Sequence, residues 1–176
     1  FKDADVVHHL AGITNVPRTQ SESVKSHDEK ILTVAKEGTK NILDAIEDLL
    51  GPNILMYQCA MWFKEPESGS YVSWHQDCSY YGMDPLALVS AWVALSPANA
   101  ESGCMQVIPG SHKGGQYPVE FTEIREANLL ASGQNTLYEF DPERAILMPL
   151  RPGEMSLHHV ALVHSSRPNH SSDRRM

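Results

Sequence analysis

Basic charge is scarce in this 176-residue chain. Lys and Arg number 14 against 22 Asp and Glu, which gives a net charge of −8 and a pI near 5.5. Binding a phosphate backbone draws on clustered cations that release counterions, so no nucleic-acid partner is expected. Long apolar runs are also missing. The longest, Ile54 to Phe63, contains Gln58 and is far shorter than the roughly 18 residues of a membrane span, so no membrane partner is expected and the protein reads as soluble. Cysteine is sparse and odd in number: Cys59, Cys78 and Cys104 lack a CxxC spacing. They read as buried thiols in a reducing compartment, with the cytoplasm as the default. No GxGxxG turn is present to bring a pyrophosphate to a helix N-terminus, and no YxxxK pair follows any of the six tyrosines. Phe1 opens no signal-peptide pattern and Met176 directly follows a charged cluster, so both ends read as cut.

What the chain does have changes character along its length. Asp5 to Gly12 is a short apolar run. Glu29 to Leu50 carries Ile31, Val34, Ile42, Leu43, Ile46 and Leu50 at helical spacing. From Ile54 onward the pattern is one of short strands: Ile54 to Phe63, Tyr71 to Asp77, Ala87 to Leu95, Cys104 to Ile108, Ala145 to Leu150 and Glu154 to His164. Pro66-Glu67-Ser68-Gly69, Pro109-Gly110 and Pro152-Gly153 supply the turns between them. Residues 116–143 are polar and read as a long insertion with some helix over the mouth of a barrel.

The chemistry concentrates in His75-Gln76-Asp77 and, far downstream, in Val163-His164-Ser165-Ser166 and Arg174-Arg175. On a strand from Tyr71 to Asp77, His75 and Asp77 project from one face and Gln76 from the other. Two imidazoles and one carboxylate on one side of an ion leave open positions for a co-substrate and O2, which is the donor set of a non-haem iron site. The third ligand arrives from a distant segment. Parity alone does not choose it, because His158 and His164 share a face if that strand is unbroken. A polar strand facing solvent would carry the same His-x-Asp pattern.

Residues 45–176 resemble the phytanoyl-CoA dioxygenase family of Fe(II)- and 2-oxoglutarate-dependent oxygenases. The resemblance is carried by Leu50-Gly51-Pro52-Asn53-Ile54, Trp74-His75-Gln76-Asp77, Ala91-Trp92-Val93-Ala94-Leu95, Gly103-Cys104-Met105, Pro109-Gly110-Ser111-His112, Pro152-Gly153-Glu154 and Val163-His164-Ser165-Ser166. It implies a mainly β fold, the double-stranded β-helix or cupin-like jelly roll. It implies Fe(II) held by His75, Asp77 and His164, with 2-oxoglutarate and O2 as co-substrates and a small molecule hydroxylated. Asp77 stands where halogenating relatives carry a small residue, which points to hydroxylation. Arg175 matches the arginine that clamps the distal 2-oxoglutarate carboxylate, a role suited to a planar guanidinium; a register slip of one residue would give it to Arg174. Ser166 matches a residue that hydrogen-bonds the co-substrate, and Trp92 and Gln58 match positions lining its pocket. His158 and His159 are left as packed neighbours of the site. His8, His9, His27, His112 and His170 read as structural or exposed.

Residues 1–44 are similar to a fragment of an NAD-dependent epimerase, a strand with a His-Leu-Ala ending before a helix that bears Glu37-Gly38-Thr39-Lys40-Asn41-Ile42-Leu43. The expected organisation is therefore an N-terminal α/β fragment, 1–44, joined to a jelly roll, 45–176. The family's further strand after Arg175 is missing from it, so an open sheet edge, weak turnover and no NAD binding are expected. Two other functions stay open, an inactive jelly-roll binding module and a nucleotide-sugar epimerase relative.

Overall fold

The computed structural model describes residues 5–8, 24–82, 84, 86, 88–122, 127–130 and 132–176. Two compact units divide the chain, Phe1–Ala60 and Met61–Met176. The first pairs β1 (Asp5–His8) in parallel with β2 (Ile54–Met56), joined through α1 (Val24–Leu50). Parallel neighbours need such a long crossover. Ile42, Ile46 and Leu50 are buried one turn apart along one stripe of α1. The helix ends where Gly51 takes φ +85° and its N–H returns to Glu47 O at 2.8 Å. The helix starts before Glu29, where the spacing places it, and no described helix is long and apolar enough to cross a membrane. Most of the polar loop between Asn15 and Asp28 lies outside the described residues.

In the second unit β3 (Val72–His75), β10 (His164–Ser166), β5 (Met105–Val107) and β8 (Ile146–Met148) form one antiparallel sheet in that order. A second antiparallel pair joins β4 (Leu88–Val93) to β9 (Met155–His159). The last residues run between two neighbours. Arg175 exchanges both backbone hydrogen bonds with Lys64, at 2.9 and 3.0 Å, and Met176 O accepts from Leu95 N–H at 3.0 Å. Ala94, Ala98 and Cys104 form a buried cluster with Trp92 and Leu150 packed against it.

Three expected strands and the expected insertion differ in the structure. Tyr71 to Asp77 narrows to β3, because Asp77 turns into helical backbone, φ −60° and ψ −36°, at the start of α2 (Cys78–Tyr81). Glu154 to His164 is two strands. Leu162 N–H bonds back to His159 O at 2.8 Å and Ala161 N–H to His159 Nδ1 at 3.0 Å, a turn that carries the chain from one sheet to the other. Ile54 to Phe63 keeps only β2, and Tyr57, Gln58 and Cys59 beyond it are exposed, so Cys59 is not the buried thiol expected. Cys78 and Cys104 are buried. In the 116–143 insertion the described residues form a hairpin rather than a helix, β6 (Val119–Phe121) with β7 (Gln134–Thr136), apart from one 3-10 turn at Pro142–Arg144.

Gly103 sits where two backbone segments nearly touch. Its φ is +68°, and a Cβ there would lie 2.2 Å from Arg167 O and 2.6 Å from Pro168 O. Neither carbonyl can yield without moving the chain after β10. Gly103→Ala is therefore expected to destabilise the second unit by on the order of 3 kcal/mol, read as a lowered urea midpoint. A midpoint equal to that of the unchanged protein would refute this close approach.

Candidate metal centre

His75 ends β3 and His164 begins β10, and the antiparallel register sets them opposite each other. Their ring centroids are 4.1 Å apart. The ring nitrogens divide the work between them. His75 Nδ1 lies 2.9 Å from Ser73 O, and His164 Nδ1 lies 2.9 Å from Leu162 O. A carbonyl only accepts, so each Nδ1 carries the proton and each Nε2 is left with a free lone pair. Both lone pairs converge on Asp77 Oδ1, 3.4 Å from His75 Nε2 and 3.7 Å from His164 Nε2. All three donor atoms lie within 4.8 Å of one another. These separations exceed a hydrogen bond and suit ligands sharing one ion at about 2.0–2.2 Å each.

Asp77 reaches this point from the turn after β3, not from the strand. Its side chain makes no capping bond to α2, so both carboxylate oxygens are available. Ser90 Oγ donates to Oδ2, and His158 Nε2 lies 3.6 Å from the same atom. Ser90 and His158 face each other across the β4–β9 pair, which explains their joint approach. Burial alone would raise the Asp77 carboxyl, but the imidazoles of His164, His158 and His75 outweigh it and hold the group well below the usual carboxylate range. His164 is pushed down to about 3, by burial first and then by the nearby His75. A neutral His164 imidazole beside an ionised Asp77 carboxylate suits metal binding, which takes deprotonated ligands.

Gln76, the middle residue of the ligand tripeptide, points away from the ion site and is fully buried. Its amide donates to Gly115 O at 2.8 Å and Ala161 O at 2.6 Å and accepts from Tyr117 N–H at 2.7 Å. His159 is engaged elsewhere, its Nδ1 holding Ala161 N–H and its ring 5.6 Å from that of His112. His170 is exposed beside Glu67, and His112 is half-buried. His9 lies outside the described residues, and only backbone is described at His8 and His27.

Behind the ion site is a second, cationic group of residues. Arg175 is 3% exposed, its guanidinium 5.5 Å from the Trp92 ring, and its Nε has no hydrogen-bond partner among the described residues. Burial lowers it to about 10. Arg174 turns outward instead and pairs with Glu65 at 2.7 Å. Ser166 lies two residues beyond His164 on the same face of β10 and is buried. The structure brings Arg175, Trp92 and the Ser166 strand together and does not bring Gln58, which is exposed in the first unit. Sequence reasoning missed Lys64 and Ser90. Lys64 is fully buried, with its ammonium 2.6 Å from Ser166 Oγ. A lysine after Met61-Trp62-Phe63 carries no local signal of burial, since its partners lie 39 to 103 residues away.

Known proteins share this arrangement of sequence. The chain is 34% identical over 137 residues to a probable alpha-ketoglutarate-dependent hypophosphite dioxygenase of Stutzerimonas stutzeri, covering 78% of this chain and 48% of that protein. Among solved structures, a non-heme monooxygenase, ThoJ in its apo form, superposes with a TM-score of 0.62 at 31% identity, over 76% of this chain and 48% of that one. EvdO2 of Micromonospora carbonacea var. aurantiaca, complexed with 2-oxoglutarate, does so with a TM-score of 0.54 at 33% identity, over 64% and 45%. The chain spans about half the length of these relatives. The sequence profile of phytanoyl-CoA dioxygenase (PhyH) matches residues 3–176, a range that includes nearly all of the epimerase-like segment 1–44. With the mainly β, cupin-like fold and the neighbours it superposes on, that match makes this chain a member of the phytanoyl-CoA dioxygenase family.

Proposed function

We propose that the second unit is the catalytic core of an Fe(II)- and 2-oxoglutarate-dependent dioxygenase that hydroxylates a small organic or acyl substrate. The observation that carries this reading is the convergence of His75 Nε2, Asp77 Oδ1 and His164 Nε2, with both imidazoles locked in the ligating tautomer by backbone carbonyls. A 2-His-1-carboxylate set is the donor chemistry of non-haem Fe(II). The Stutzerimonas stutzeri relative, a probable alpha-ketoglutarate-dependent dioxygenase, and EvdO2, solved in complex with 2-oxoglutarate, support the same co-substrate here.

With Fe(II), 2-oxoglutarate and O2 bound, decarboxylation of the keto acid to succinate and CO2 drives oxidation of a substrate C–H bond. The chain's own residues do the rest. His75, Asp77 and His164 would hold the ion through Nε2, Oδ1 and Nε2. Ser90, by holding Oδ2, keeps Asp77 presenting Oδ1. Arg175, buried and short of a partner at Nε, would clamp the far carboxylate of the co-substrate, and Trp92 fixes the guanidinium plane from beside it. Ser166 would donate to the same carboxylate. Arg175 is buried, so a salt link there would be screened little by water and correspondingly stronger.

Anaerobic Fe(II) titration tests the ligand set. His75→Ala, Asp77→Ala and His164→Ala should each abolish one-to-one binding, and His159→Ala should keep it; retained binding in His164→Ala removes the assignment. Succinate formation from 2-oxoglutarate, measured with a panel of small substrates, then separates an enzyme from a binding module.

Arg175→Lys should weaken 2-oxoglutarate binding about tenfold or more, because an ammonium cannot make the two parallel bonds of a guanidinium. Iron binding should be unchanged. The metal-to-keto-acid charge-transfer band reports this, and an unaltered affinity would take Arg175 out of the site.

A further inference from the structure

Lys64 is the largest fully buried side chain of the second unit, and its surroundings are unusual for a lysine. An ammonium taken out of water demands compensation, ordinarily from a carboxylate. Lys64 has none among the described residues. Its N–H groups go to neutral acceptors: Ser166 Oγ at 2.6 Å, Arg167 O, and Gly103 O at 3.4 Å. Its ionised neighbour is a like charge, Arg175, held across the antiparallel bridge by two backbone bonds. The other titratable group facing it is the Cys104 thiol, which burial raises and so keeps protonated. Glu65, the next residue along, is spent outside on Arg174. Two buried cations thus share one recess, and the recess lacks an anion.

The hydroxyl of Ser166 connects this recess to its occupant. A serine oxygen has one proton to give and two lone pairs. An ammonium has no lone pair, so in the Lys64–Ser166 bond Lys64 is the donor, and the Ser166 proton must point elsewhere. We infer that Lys64 is a positioning residue for the co-substrate: its ammonium occupies a lone pair of Ser166 Oγ and thereby commits the Ser166 hydroxyl proton to the carboxylate that Arg175 clamps. The inference rests on the 2-oxoglutarate reading given above and deepens it. Gly103 belongs to the same device, since only a residue without Cβ lets Arg167 O come close enough to share the ammonium.

The arrangement titrates. Burial, and then Arg175, push Lys64 down to about 7. Once neutral, Lys64 has a lone pair of its own, Ser166 can donate to it, and the carboxylate loses that donor. A group that must be protonated to bind makes affinity fall as pH rises through its free pKa, by up to tenfold per unit. The 2-oxoglutarate dissociation constant of the Fe(II)-loaded chain, measured anaerobically from pH 6 to 8.5 by the charge-transfer band, is therefore expected to weaken at least tenfold.

Lys64→Met should bind one equivalent of iron, bind 2-oxoglutarate about tenfold more weakly at pH 6, and show a flat profile. Ser166→Ala should flatten the profile too, and adding Lys64→Met to it should change affinity less than twofold. A Lys64→Met protein that keeps the pH slope, or whose loss adds in full to that of Ser166→Ala, overturns the inference. If Lys64→Met fails to bind iron through misfolding, the unchanged protein and Ser166→Ala decide it: a flat profile in the first, or an undiminished slope in the second, overturns it. Should Arg175→Lys weaken the co-substrate while the Lys64 and Ser166 tests fail, only this inference falls. Should all three leave affinity unmoved, the co-substrate reading itself falls.

Discussion

A single buried carboxylate sets the terms for the rest of the second unit. Asp77 must stay ionised in a place where burial opposes its charge, so other side chains have to stabilise it. Three imidazoles, from β3, β9 and β10, approach it, and a hydroxyl from β4 donates to its second oxygen. These groups come from both β layers. The turn at 160–163 and the antiparallel facing of His75 and His164 are the geometric conditions for their meeting. A jelly roll satisfies such a demand because its strands alternate between layers, so one point in space can be served by residues nearly ninety positions apart in sequence.

Charge is distributed unevenly around that point. On one side lie Asp77 and three imidazoles; on the other lie Arg175 and Lys64 with no carboxylate among the described residues. A dication at the first place and an anion at the second would each meet charge of the opposite sign. Neither group of residues is well satisfied alone: among the described residues, neither ring nitrogen of His158 and not the Nε of Arg175 has a hydrogen-bond partner. Buried polar atoms without partners are rare in proteins and point to ligands or function. Here they flank the place where chemistry is proposed.

Much of this was legible in the sequence and some was not, for physical reasons. His75, Asp77 and His164 were readable because metal ligation restricts residue type so strongly that their identity and order survive without a structure. Arg175 was readable in chemistry and ambiguous by one position; burial favours it for the proposed role, since Arg174 reaches Glu65 outside and Arg175 lies beside Trp92. Strand parity misled at Asp77, which helical backbone and not alternation brings to the ligands. Parity also misled across Glu154 to His164, where a turn divides an apolar run that has no Gly or Pro to announce it. Gln58 was assigned by alignment of motifs and is exposed, in the other compact unit. Lys64 and Ser90 left no trace, since the partners that give them meaning are set by tertiary contacts alone.

Gln76 has one more consequence. Its three hydrogen bonds fasten the entrance of the 116–143 insertion, at Gly115 and Tyr117, and the turn at Ala161 to the end of β3, between His75 and Asp77. Ser73 and Asn128 secure the later part of the insertion by side-chain bonds to Gln134 O and Ser73. Among the described residues between those moorings, none is hydrogen-bonded to His75, Asp77 or His164. Descendants of such a protein can rewrite that stretch and, on the proposed reading, change the substrate they take without moving those three side chains. Diversification and catalytic competence are thereby uncoupled, which gives a lineage freedom to explore new substrates through neutral steps.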